Sequence, residues 1–396
     1  MRGRFRWDFG LGREVGLVLW AMVCDEATMS AFKGVWALWM ARLGAPVTVV
    51  GLLLGATGIL RLLVLTRAAS LAERFAPRTL AVISRALLGL GLVTAGLAQH
   101  WTQLAPMLLL SAFSVLASPV AKSHVSDHAG AQRVRAYTLV FSVAPAVSVG
   151  LSPLLAGLII AKLGMEAVFY YSAAWCVASA LVYWRLNATT PKAAATAESR
   201  STFREAFADP GVRLVLGLQA ASVFAMSVGT SLLPPFLEEV QGLHPATISA
   251  LGSTPAIGSI VFGLFVARSR RFQGAPLAAA AMCAVFVSAS LAVCLSTNLV
   301  WLLAVAFLGR GGLFSAWGMF GAALAEVAPD RHRMRVFSLG DMGGNLAFWS
   351  APILSGQLYA VSPQTPLLVS IAVSLALAPL LVAGQRRASS ARVAPV

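Results

Sequence analysis

The sequence predicts an all-α membrane protein: twelve transmembrane helices in two parallel-repeat six-helix bundles, with both termini cytoplasmic. Three observations carry this expectation. Of the 396 residues 58% are hydrophobic and 11% are charged, with a mean hydropathy of +0.79, whereas soluble domains are about 25% charged. Apolar runs of about 20 residues, long enough to cross a bilayer as a helix, recur from end to end. The second half of the chain also repeats features of the first at a nearly constant offset.

A window of that length finds spans at roughly 14–39, 47–66, 79–99, 104–122, 137–161, 165–185, 213–235, 247–267, 275–296, 299–322, 336–359 and 365–383. Runs such as PLLVSIAVSLALAPLLVA are continuous and lack the period-two alternation of barrel strands, so the chain reads as helical. The basic amino terminus, MRGRFRWDFGLGRE, leads straight into the first span without a cleavage site and is expected to be retained. Cytoplasmic loops keep Lys and Arg. Arg2, Arg4, Arg6 and Arg13, then Arg67, Arg74 and Arg78, Lys122, Arg133 and Arg135, Arg268, Arg270 and Arg271, Arg331, Arg333 and Arg335, and Arg386, Arg387 and Arg392 all fall on one side of this topology. The opposite loops hold Arg42 and Lys162. An inner-membrane, multi-pass chain with both termini inside follows.

A net charge of +15 suits a nucleic-acid binder only when the cations share one solvated surface; here they lie in bursts between apolar runs, and no nucleic-acid partner is expected. Cys24, Cys176, Cys283 and Cys294 lie in apolar stretches without paired spacing, so neither a disulfide nor a zinc site follows. His124 and His128 flank Asp127 at the inner end of span four and read as solvated. His100, Trp101 and His244 suit an outer interfacial belt. No Gly-rich phosphate loop with its Lys-Ser/Thr is present, which excludes an ATP-driven pump. Neither enzyme chemistry nor a cofactor or metal is expected.

The longest polar interval divides the chain into an N-terminal bundle at 1–190, a linker at 191–212 and a C-terminal bundle with a short basic tail at 213–396. Arg133-Val-Arg-Ala-Tyr-Thr-Leu139 matches Arg333-Met-Arg-Val-Phe-Ser-Leu339, and Ser152-Pro-Leu-Leu-Ala-Gly157 matches Ala351-Pro-Ile-Leu-Ser-Gly356. Leu43-Gly-Ala-Pro46 corresponds to Leu243-His-Pro-Ala246. Two such bundles can enclose a midplane site and rock about it, which requires no second copy; a monomer is expected.

Ala69-Ser-Leu-Ala-Glu-Arg-Phe-Ala-Pro-Arg78 resembles the loop signature after span two of the major facilitator superfamily, with alanines for two glycines, Glu73 for Asp and Pro77 in a basic slot. The resemblance implies that Glu73, Arg74 and Arg78 latch one state of the carrier. The second-half copy, Gly263 to Arg271, has lost its acid. In span five, Ser148, Ser152, Pro153, Ala156 and Gly157 are similar to the superfamily's antiporter signature, small residues standing where glycines are usual. That implies a kinked, closely packed gating seam and favours export.

Charges inside apolar spans cost about 2.5–3.5 kcal/mol or more at the bilayer centre and mark function. Asp25 and Glu26 lie near mid-depth in span one. Lys33 returns to the stripe of Glu26, and Arg61 in span two is within expected reach of either acid. Adjacent carboxyls at low dielectric disfavour double ionisation, so one of Asp25 and Glu26 is expected to carry a proton. Arg85 is expected to snorkel to the headgroups. In the second half, Arg310 and Asp341 are expected to pair, and the superfamily resemblance places both on cavity-lining spans. Asn345, Phe348 and Trp349 follow along one side, with Trp317 and Phe320 on span ten and Phe32, Trp36 and Trp39 on span one as aromatic walls. The expected function is proton-coupled efflux of amphiphilic or drug-like small molecules by rocker-switch alternating access. The alternatives are proton symport of a small organic nutrient, with Arg310 binding its carboxylate or phosphate, and a non-transporting sensor of the same fold.

Overall fold

The computed structural model describes residues 7–67, 71, 75–130, 133–187, 203–272, 274–328 and 333–393. Among these residues every regular element is helical. The N-terminal half contains α1 (Arg13–Arg42), α2 (Val47–Thr66), α3 (Pro77–Leu97), α4 (Ala105–Ala112), α5 (Ala117–His128), α6 (Arg133–Thr138), α7 (Ala144–Leu163) and α8 (Glu166–Trp184). The second half contains α9 (Phe203–Ala208), α10 (Pro210–Ser231), α11 (Leu233–Glu239), α12 (Pro245–Leu251), α13 (Thr254–Arg268), α14 (Pro276–Ser296), α15 (Val300–Val327), α16 (Arg333–Val361) and α17 (Thr365–Val393).

Local sequence explains the boundaries. Pro77, Pro210 and Pro276 open α3, α10 and α14, where a missing amide proton costs nothing. Gly164, at φ 93°, ends α7 in the left-handed region that favours glycine. The Asp209 carboxylate accepts from the amides of Gly211 at 2.8 Å and Val212 at 3.1 Å, capping α10. Expected span seven breaks at Leu232 before Pro234 and Pro235, giving α10 and α11. Expected span eight turns at Gly252–Ser253 before Pro255, giving α12 and α13. Span four joins α4 to α5 through a 3₁₀ turn at Phe113–Leu116, and span five passes a π turn at Leu139–Val143 before Pro145.

Eleven segments of the described residues are long and apolar enough to cross a membrane, and they stand at the expected positions of spans one to ten and twelve. α16 occupies the eleventh position. At 29 residues it is long enough, but it carries Asp341 and Asn345 and is not among the eleven segments that qualify by apolarity. Leu63, Leu97, Leu158, Val177, Leu181 and Val305 are exposed, as helices facing hydrocarbon require.

Two compact units emerge. The first comprises Met1–Ala45, Ala56–Thr196 and Pro245–Ser253; the second comprises Pro46–Gly55, Ala197–His244 and Thr254–Val396. In the first, α1 packs on α7 and α8, α3 on α4 and α8, and α12 on α7. In the second, α10 packs on α16 and α17, α14 on α15 and α17, and α13 on α15. Gly311 on α15 lets α13 approach so closely that a Cβ there would stand 2.5 Å from the Pro255 carbonyl oxygen.

Candidate functional site

Asp25 and Glu26 part company in the structure, because neighbours on a helix point about 100° apart. Asp25 turns inward and is 6% exposed. Its Oδ1 lies 3.2 Å from Arg85 Nη1 and accepts from Ser179 Oγ at 2.6 Å; its Oδ2 accepts from the Tyr183 hydroxyl at 3.2 Å. Arg85 does not snorkel, contrary to the sequence expectation. It is 4% exposed, and its guanidinium also donates to the Ser114 carbonyl and, at 3.4 Å, to Ser84 Oγ. The ion pair is closed and hydrogen-bonded on both sides, the condition under which buried charges persist. The partner of Asp25 is therefore Arg85, not Arg61. The sequence held one signal for this pocket: Ser172, Cys176, Ser179 and Tyr183 recur at helical spacing on α8, and all four are buried against α1.

Glu26 faces the other way. It is half-buried, and Lys33, two turns on, is exposed. Among the described residues neither side chain has a hydrogen-bonded or ion-paired partner. The two sense each other's charge, and Arg61 stands near enough to Lys33 to act on it as a second cation. Glu26, Lys33 and Arg61 are thus brought into one neighbourhood. Trp36 is not part of it: 6% exposed, it packs edge-on to Phe169 at 5.8 Å and to Phe32 at 6.3 Å. Trp39 is buried beside them and donates to the Ala95 carbonyl at 2.9 Å. The expected aromatic wall on α1 is helix packing, because this stripe faces α8.

The small residues of α7 fasten it to α1 around the two acids. Ser148 Oγ donates to the Val23 carbonyl at 2.9 Å, and Ser152 Oγ donates to that of Ala27 at 2.6 Å. Pro153, within α7, offers its carbonyl to Ser249 Oγ on α12 at 3.1 Å. A Cβ at Gly157 would stand 2.7 Å from the Ala246 carbonyl oxygen. The repeat-related Pro352 and Gly356 meet Gly51 at the start of α2 in the same fashion. Of the loop residues, Arg78 donates to the Leu186 carbonyl at 3.2 Å and lies 5.0 Å over the Trp184 ring. Glu73 and Arg74 lie outside the described residues, as do the linker's 191–202 and Arg2, Arg4, Arg6 and Arg331.

In the second unit, Arg310 and Asp341 are not joined. The Arg310 guanidinium lies 4.5 Å over the Phe307 ring, and its Nε is buried without a hydrogen-bond acceptor among the described residues. Asp341 is exposed. Their expected pairing took no account of the direction each side chain takes around its helix. Asn345 spends its amide on the Asp341 carbonyl at 2.7 Å. Trp317 lies against Gly344, and Phe348 and Trp349 are half-buried, edge to face at 5.1 Å. Gln219 on α10 escaped the sequence reading. It is 3% exposed, donates to the Gly340 carbonyl at 3.2 Å and leaves its own Oε1 without a partner among the described residues.

At the N-terminal end of α1 the histidines also depart from expectation. His128 is exposed, but His124 is 4% exposed, with Nε2 3.1 Å from Glu14 Oε2. Burial first, and the His128 ring second, hold His124 below the usual imidazole range against the opposing pull of Glu14.

A family model described as Major Facilitator Superfamily matches residues 18–317. No curated protein matches the chain. Among solved structures, the nucleoside transporter NupG is 13% identical, covering 97% of this chain and 100% of its own, at a TM-score of 0.74. The peptide transporter POT in complex with sulfate is 15% identical, with 97% and 96% covered and a TM-score of 0.75. A bacterial homolog of the human lysosomal transporter Spinster, inward-facing and unoccupied, is 16% identical, with 98% and 94% covered and a TM-score of 0.68. At such identities these likenesses establish the fold alone. The family match extends over most of the chain, from the acids of α1 to the arginine of α15, and the chain belongs to the Major Facilitator Superfamily.

Proposed function

We propose that the chain is a proton-coupled secondary transporter that exports amphiphilic or drug-like small molecules by rocker-switch alternating access. One observation carries the reading: Glu26 stands in a membrane helix as a half-buried carboxyl without a partner among the described residues, two turns before an exposed lysine, while Asp25 beside it is fully engaged. An ionisable group in that position needs water or cargo to visit it. Glu26 carries the proton, and Lys33 and Arg61 bias its charge state. Asp341, Trp317, Asn345, Phe348 and Trp349 line the cargo's path on the other repeat. The α7–α12 and α2–α16 seams part when access switches, with Glu73, Arg74 and Arg78 as a latch. The monomer sits in the inner membrane with both termini cytoplasmic, its repeats at 1–190 and 213–396 joined by the linker at 191–212.

Arg310 favours a second reading. A guanidinium over an aromatic ring, with no acid paired to it among the described residues, suits an anionic nutrient brought in with a proton, and fold relatives that transport nucleosides and peptides support a small organic cargo. Proteoliposomes with a pH-sensitive dye distinguish the two. Cationic amphiphiles that drive protons in the opposite direction support export; carboxylates or phosphates that carry protons with them support import. A protein that moves no protons with either set is not a proton-coupled carrier.

A further inference from the structure

The sequence reading leaves the cluster at the start of α1 without a role. Glu14 lies in the first turn of α1, and His124 and His128 lie in the last two turns of α5. Their spacing, four residues apart on a helix, puts both imidazoles on one face. Each of the three residues offers a ligand atom, and these atoms all lie within 4.8 Å of one another. The rings are stacked, with centroids 4.1 Å apart and an interplanar angle of 26°. The His128 Nδ1 lies 2.9 Å from the His124 carbonyl oxygen. Donating its proton there leaves Nε2 as the nitrogen with a free lone pair, the orientation that a metal-ligating histidine takes from an outer partner. Glu14 is itself held: Oε1 receives Arg13 Nη1 at 2.9 Å, and Oε2 receives the Asn187 amide at 3.1 Å.

We propose that Glu14, His124 and His128 bind one divalent cation of the zinc class, stapling the start of α1 to the end of α5. The donor set decides the class. Two imidazoles and one carboxylate suit zinc and its late first-row neighbours; magnesium and calcium prefer oxygen throughout. Three protein ligands leave one tetrahedral position, on the exposed His128 side, for water or another anion. Closing from 4.8 Å to a coordination sphere with bonds of about 2.0–2.2 Å requires the ligand atoms to draw together. The metal takes the Nε2 lone pair of the His124 tautomer that carries its proton on Nδ1, so the proton shifts from Nε2 to Nδ1 as the His124–Glu14 hydrogen bond gives way to two metal bonds. Arg13 opposes the cation, but its charge is already matched by the Glu14 oxygen it holds.

The test is zinc binding to the purified full chain in detergent, by isothermal titration and by thermal shift. The wild type is expected to take up one equivalent and to melt at a higher temperature. His128→Gln is expected to bind at least about tenfold more weakly while its metal-free melting temperature stays unchanged, since this side chain is exposed. Cobalt should give the visible absorption of a tetrahedral site in the wild type and lose it in His128→Gln and Glu14→Gln. Replacing His100 and His244 should change none of these. A wild type without saturable zinc uptake, or a His128→Gln protein that binds zinc as tightly, overturns the proposal.

Discussion

Asp25 and Glu26 show how one step along a helix separates two kinds of chemistry. Asp25 holds three partners within 3.2 Å, so Asp25→Asn leaves Arg85 charged and enclosed. Removing one member of a buried pair costs about 3–5 kcal/mol, and this variant is expected to melt well below the parent. Replacing both Asp25 and Arg85 by Leu should recover most of that loss, which a double-mutant cycle would read as strong coupling. Glu26→Gln touches no such network. It is expected to melt like the parent and, if Glu26 is the proton carrier, to lose proton movement in proteoliposomes while still binding cargo. A Glu26→Gln protein that still moves protons with cargo would remove Glu26 from that role. The acids were legible in the sequence as charges in an apolar run. Arg85 was misread because its side chain is long enough to reach the headgroups, so distance along the helix alone did not reveal the turn toward Asp25.

At the scale of helices the repeat was the most informative signal. It marked Pro153 with Gly157 and Pro352 with Gly356 as corresponding pairs, and both pairs occur where a helix passes close to another backbone. The pattern could not say which helix would come near, because small residues record only that something is close. The answer, α12 for the first and the start of α2 for the second, comes from packing. Gly157→Leu must push α12 away, since even a Cβ would stand 2.7 Å from the Ala246 carbonyl oxygen. With the four native cysteines buried, a cysteine introduced at the fully buried Ser249 reports on this seam. Thiol labelling is expected to be several-fold faster in Gly157→Leu/Ser249→Cys than in Ser249→Cys. Equal rates would mean that α7 and α12 accommodate the bulk without parting.

For the whole molecule the count of crossings decides which side each terminus faces, and α16 is the helix on which the count turns. Eleven segments of the described residues qualify by length and apolarity, and an odd number would place the two ends of the chain on opposite sides. α16 is long enough to cross, and one face of it is covered by protein: Gly340 and Gly344 pack against Leu324, Trp317 and Gln219 of neighbouring helices. Hydropathy averages a helix over its whole circumference and so underrates one whose small residues are there for packing. The cations argue the same way, because Arg268, Arg270 and Arg271 before α14 and Arg386 near the end of α17 share a side only when α16 crosses. A reporter active on one side of the membrane, fused ahead of Arg13 or after Val393, is therefore expected to give the same signal at both ends and the opposite one when inserted at Gly164. Opposite signals at the two ends would show that α16 does not traverse the bilayer, and with that the pairing of Pro352 and Gly356 with their first-half counterparts would lose its meaning as a gate.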